Sequence, residues 1–247
     1  MEVLAGQGWG YLLVLLRTAG LLVSAPILGA RVVPVRIRLS LSVVLALAAF
    51  TGAGAPAVAL PRGIPGLVLA VAAETALGLL AGFAASWVLQ AAVAAGQVIG
   101  VSMGIGFASM VDPASGANSN APGELLLTLA QLSALALGIH REAIGWLARS
   151  VRLWPPGGEL PVEALASRAI GQAVLGATLA VRVAFPVLAA VLVAYALMGV
   201  LSRAAPQLSL ASVGFSVAIL CGGGALYLVV PHAAEVIART TVAAFSR

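Results

Sequence analysis

The sequence predicts an all-α, polytopic, membrane-associated fold of about six apolar segments, with broken and kinked helices. Three observations predict it. Of 247 residues, 62% are hydrophobic and 9% charged, whereas an ordinary soluble domain has roughly a quarter of its residues charged. Apolar runs of about 20 residues, the length a helix needs to cross roughly 30 Å of hydrocarbon, recur along the whole chain. Clusters of glycine and proline punctuate them. No polar block is left over for a separate soluble domain, so residues 1–247 read as a single membrane domain.

The first segment, about residues 9–30, holds Arg17 and Pro26; it is too long and starts too late for a cleavable signal peptide, so it is expected to stay in the mature protein. An arginine-bearing turn (Arg31, Pro34, Arg36, Arg38) precedes the second, about 39–60, which ends in the cluster around Gly54 and Pro56. The third runs from about 66 past Trp87 to 95 and contains Glu74; it is longer than one perpendicular crossing and must tilt, bend or extend beyond the bilayer. From Gly96 to Gly123 repeated glycines, prolines and small polar residues predict a loop. The fourth segment, about 124–139, is short, and a polar region to Arg168 follows, broken at Trp154-Pro155-Pro156-Gly157-Gly158. The fifth, about 169–201, has Arg182 and Pro186 at its middle and predicts a kinked helix or two half-helices. The sixth, about 208–230, contains Gly222, Gly223 and Gly224 and is expected to end at Pro231.

Six alternating crossings would put Arg31, Arg36, Arg38 and Arg203 on one side and most other loop arginines opposite, so positive charge selects no orientation and simple threading is itself in doubt. All thirteen basic residues are arginine, scattered between apolar runs; the net charge of +5 forms no basic stripe, and nucleic acid is not an expected partner. His140 and His232 have no zinc-type spacing, and the lone Cys221 sits in an apolar run, so neither a metal nor a cofactor is expected. No nucleophile elbow, His-Glu-x-x-His, phosphate loop or dinucleotide fingerprint is present, and the chain reads as a non-enzyme.

Arg17, Glu74 and Arg182 stand inside apolar stretches, where an ion faces a partner, a cavity or a water path. Pairing between helices or subunits is one reading and an ion pathway the other. Glu74, Arg182 and the interrupted fifth segment also suit a small-solute secondary transporter with discontinuous helices, although no inverted repeat is evident. Glu74, Gly78 and Gly82 fall four residues apart, on one helix face where two backbones can approach closely; Gly96, Gly100 and Gly104 repeat the spacing.

Ordered blocks across nearly the whole chain resemble the FliR family of flagellar type III secretion, whose injectisome counterparts are called SctT. They are RTAGLLVSAPILG from Arg17 with Val33-Pro34-Val35-Arg36; ETALGLLAG from Glu74; AGQVIG from Ala95 and GFASMVDPASG from Gly106; then Ala184-Phe185-Pro186, Ser202-Arg203, Pro206-Gln207-Leu208 and Val213-Gly214-Phe215. The resemblance implies a fold of membrane-associated helical hairpins and a subunit of the protein export gate in the bacterial cytoplasmic membrane, at the flagellar basal body. It implies FliP-like and FliQ-like partners, nearby FlhB-like and FlhA-like proteins, exported unfolded polypeptides as cargo, and contact with membrane lipid. An injectisome member remains the alternative.

By the same resemblance the segment holding Gly104, Ile105, Gly106, Phe107, Met110, Asp112 and Pro113 matches a loop that plugs the closed pore. The residue types suit that role. Glycines allow close approach, Phe107 and Met110 are bulky and adaptable, and Asp112-Pro113 is expected to fix the turn. Irregular backbone at membrane depth is tolerated where protein or a cavity surrounds it.

Overall fold

A computed structural model describes residues 2–29, 33–61, 63–105, 120–158, 162–204 and 210–246. Among them are seven helices: α1 (Glu2–Ser24), α2 (Val35–Gly52), α3 (Ile64–Ser102), α4 (Ala121–Ala136), α5 (Ile139–Leu153), α6 (Val162–Ala204) and α7 (Leu210–Ser246). Four of them, α2, α3, α6 and α7, are long and apolar enough to cross a membrane, and α4 with α5, bent by 63°, makes a fifth if taken as one broken span. The 39, 43 and 37 residues of α3, α6 and α7 correspond to roughly 55–65 Å of helix, about twice a hydrocarbon core. These helices are therefore too long to lie wholly within one bilayer.

Two compact units divide the chain. The first comprises residues 1–87, 135–173 and 241–247, and α1 is its centre. Leu13, Val14, Arg17 and Thr18 are fully buried, with Leu21 and Leu22 almost so. Protein rather than lipid surrounds this stretch, which was expected as a crossing. α2 returns antiparallel to α1: Tyr11 packs edge-on against Phe50 and its hydroxyl donates to the Val43 carbonyl, while Val58 beyond the helix donates to the Gly6 carbonyl. The α3 portion runs parallel to α1, Arg17 meeting Glu74 and Ser24 meeting Ser86.

α5 occupies part of the region expected to meet water, and its residue pattern explains how. Ile139, Ala143, Trp146, Leu147, Ser150 and Val151 form one buried stripe, while His140, Arg141, Arg149 and Arg152 are exposed. Such a pattern makes an interfacial or protein-packed helix rather than a lipid-spanning one. Gly138, with φ 85°, separates it from α4; an L side chain rarely adopts that conformation, and glycine does so freely. The break expected at Trp154–Gly158 does follow Leu153.

The second unit comprises residues 88–134 and 174–240. Its core is built from Val88, Ala92, Ala95 and Ile99 of α3, Leu126 and Ala130 of α4, Val183, Val187 and Val191 of α6, and Ala218, Ala233 and Ile237 of α7. Two expectations are corrected here. Gly96 and Gly100 lie inside α3, not in a loop; a Cβ on Gly96 would collide with the backbone of Gly123 in α4, so the glycine serves close packing. α6 continues through Pro186 as one helix, which removes the half-helix alternative and keeps the single-helix one. α7 continues through the glycine triplet and Pro231 for another fifteen residues, to Ser246. Proline removes one helical hydrogen bond, a loss that neighbouring helices and local adjustment offset in a membrane bundle.

Candidate functional site

Burial of Arg17 in α1 removes a full charge from water, and four hydrogen bonds around it and Glu74 make that burial possible. Arg17 Nε lies 2.6 Å from Glu74 Oε2, with both side chains nearly inaccessible at 1% and 4% exposure. The guanidinium also donates to Ser150 Oγ at 3.3 Å and to the Trp154 carbonyl at 3.0 Å. On the far side of the carboxylate, the Gly157 amide donates to Glu74 Oε1 at 3.0 Å. One ion pair thus ties together α1, α3, the end of α5 and the turn beyond it. A buried pair satisfied on both sides is tolerated; a half-satisfied one is strongly destabilising.

The glycines four and eight residues after Glu74 let this pair form. A Cβ on Gly78 would collide with the Arg17 carbonyl and stand 2.9 Å from the Leu21 nitrogen, and one on Gly82 would stand 2.6 Å from the Ala25 nitrogen. Gly20 of α1 answers them, its missing Cβ only 2.7 Å from the Thr75 carbonyl. The helix backbones therefore approach along Glu74, Gly78 and Gly82, and that approach sets the distance at which a short carboxylate reaches the arginine. The chemistry is structural: a fixed, dry charge pair with no open face for a substrate. Among the described residues, no group of three or more His, Cys, Asp or Glu side chains is placed to hold a metal.

Ser150, the Trp154 carbonyl and the Gly157 amide belong to this node and were not singled out in the sequence. The one available signal was the Trp-Pro-Pro-Gly-Gly run, which announces a turn. Gly157 has φ 74°, and a Cβ there would also stand 2.8 Å from Val58 Cγ1. Glycine is required at this position on both counts.

Arg182 does not join the node. It is exposed on α6 in the second unit. Gly104 and Ile105 form the stop signal of α3: the Ile105 amide donates to the Gly100 carbonyl and the Gly104 amide to the Val101 carbonyl, both at 3.0 Å, with Gly104 at φ 78°. This crossed pair closes a helix on a left-handed glycine. Gly106, Phe107, Met110, Asp112 and Pro113 lie outside the described residues. The chain is next described at Asn120, whose Oδ1 accepts from the Gly123 amide to cap α4 and whose Nδ2 donates to the Val93 carbonyl of α3.

Apolar helices sufficient for four or five crossings, pinned by a buried ion pair, define a polytopic membrane protein. Residues 9–243 match the family described as bacterial export proteins, family 1, and the chain belongs to that family, the FliR family. It is 32% identical to the flagellar biosynthetic protein FliR of Escherichia coli K12, covering 84% of this chain and 79% of the relative. It is also 25% identical to FliR of Caulobacter vibrioides (85% and 84% covered) and 26% identical to FliR of Bacillus subtilis 168 (85% and 81% covered).

Proposed function

We propose that this chain is a non-enzymatic subunit of the flagellar type III export gate, helping to form and plug the channel through which flagellar proteins leave the cytoplasm. The family match over residues 9–243 carries this reading, and the flagellar names of its relatives favour it over an injectisome role. The gate stands in the bacterial inner membrane at the flagellar basal body. FliP-like and FliQ-like subunits complete it, FlhB-like and FlhA-like proteins adjoin it, and residues 1–247 act as one gate domain. Its cargo is unfolded polypeptide.

In this reading the Arg17–Glu74 pair, with Gly78 and Gly82, sets the shape of the assembling subunit, since the two charges are engaged inside one chain. Residues 104–113 obstruct the channel. A helix stop on Gly104 before them and an asparagine cap after them hold both ends of that stretch on α3 and α4. The functional test is genetic: deleting the gene in the source bacterium is expected to abolish secretion of flagellar proteins into the medium, with recovery on re-expression of the full chain. Undiminished flagellar secretion in the deletion strain would overturn the proposal.

A further inference from the structure

Arg182 on α6 and His232 on α7 are both exposed and line one cleft of about 490 Å³, walled otherwise by apolar side chains that include Leu179, Val183, Leu228 and Val229. The helices are antiparallel here, because a Cβ on Gly222, ten residues before His232, would touch Val191, nine residues after Arg182. From Arg182 the next 19 residues of α6, 183–201, carry no charge, and Arg203 follows Ser202. The 22 residues of α7 before His232, 210–231, carry none either. At 1.5 Å per residue the stretches are about 28 and 33 Å long, close to a hydrocarbon core of roughly 30 Å.

Arg182 and His232 therefore stand at one end of two antiparallel apolar stretches of membrane-crossing length, which in a threaded bundle is the level where a membrane would meet water. An arginine at that level turns its charge toward the headgroups, and basic clefts between membrane helices recognise anionic ones. Arg182 belongs to none of the three ion pairs seen among the described residues. The nearest acid along α7 after His232 is Glu235, already engaged by Arg239 at 2.6 Å. We propose that this cleft binds one anionic phospholipid, its phosphate held by Arg182 and His232 and an acyl chain laid along the apolar walls. The inference rests on the membrane class of the chain and not on its place in an export gate.

The test is native mass spectrometry of the full chain in detergent, titrated with phosphatidylglycerol or phosphatidylcholine. One phosphatidylglycerol is expected to bind in preference to phosphatidylcholine. Arg182→Gln is expected to weaken it roughly fivefold, the effect of one interfacial basic group, Arg182→Lys to preserve it, and inorganic phosphate at equal concentration not to displace it. Equal binding of the two lipids, an unchanged Arg182→Gln variant, or displacement by inorganic phosphate would overturn the proposal. So would crosslinking of the cleft to an acidic side chain of another subunit in the intact assembly, which would make the occupant a protein.

Discussion

The Gly157 amide and the Glu74 carboxylate lie 3.0 Å apart, 83 residues distant in sequence, with Arg17 on the carboxylate's other oxygen. A turn beyond α5 is thereby locked to the first third of α3 through a backbone group that no substitution of a neighbouring side chain can supply.

Breaking the pair on one side leaves a buried ion without its partner. Glu74→Ala or Arg17→Ala is expected to destabilise the detergent-solubilised protein by about 3–5 kcal/mol. The double variant Arg17→Met/Glu74→Met is expected to lose much less than the sum of the two, because no charge remains to be buried. Denaturant unfolding of all three checks this.

Gly157→Ala forces a side chain into the left-handed region and against Val58. A loss of about 1–2 kcal/mol follows from the backbone alone, with the contact adding to it. The same measurement on Gly157→Asn separates the two effects, since asparagine tolerates the backbone conformation and not the contact.

Alanine substitution along the glycines divides by what each missing Cβ would meet. Gly78→Ala and Gly82→Ala drive atoms into the α1 backbone and are expected to destabilise by about 1–3 kcal/mol or more, unlike Gly171→Ala, where nothing lies within 4 Å. Gly171→Ala is expected to be neutral or to stabilise α6 by about 0.5–1 kcal/mol. Thermal unfolding of the three variants in one detergent ranks them.

Much of this site was legible in the sequence. A charge inside an apolar run must find company, which singled out Arg17 and Glu74, and the four-residue spacing placed Glu74, Gly78 and Gly82 on one face. What paired with what was not legible: Ser150 and Trp154 lie 133 and 137 residues from Arg17, and only the folded chain brings them together. Helix ends were misread at Gly96, where a loop was expected to begin, and at Pro231. Glycine weakens a helix in water by exposing its backbone, but packed against Gly123, as Gly96 is, that cost is outweighed by close approach.

Asn120 joins two helices with one side chain. Asn120→Ala removes both the cap of α4 and the bond to the Val93 carbonyl, and a loss of about 1 kcal/mol is expected from the cap. Asn120→Asp keeps the cap acceptor and not the donor to Val93, so its smaller loss, read by denaturant unfolding, measures the Val93 bond, and its difference from Asn120→Ala measures the cap.

Residues 105–110 are proposed to seal the channel. Deleting Gly106–Met110 from an assembled gate is expected to raise ion leakage across a planar bilayer; conductance equal to that of the intact gate would remove the plug assignment.

Membership of a gate is tested most directly by gentle extraction of the full chain from its native membrane, followed by size separation and mass spectrometry. The chain is expected only in one large particle, together with FliP-like and FliQ-like subunits. Recovery of a stable, solitary chain from membranes that are actively exporting flagellar protein, with no such partners, would contradict it.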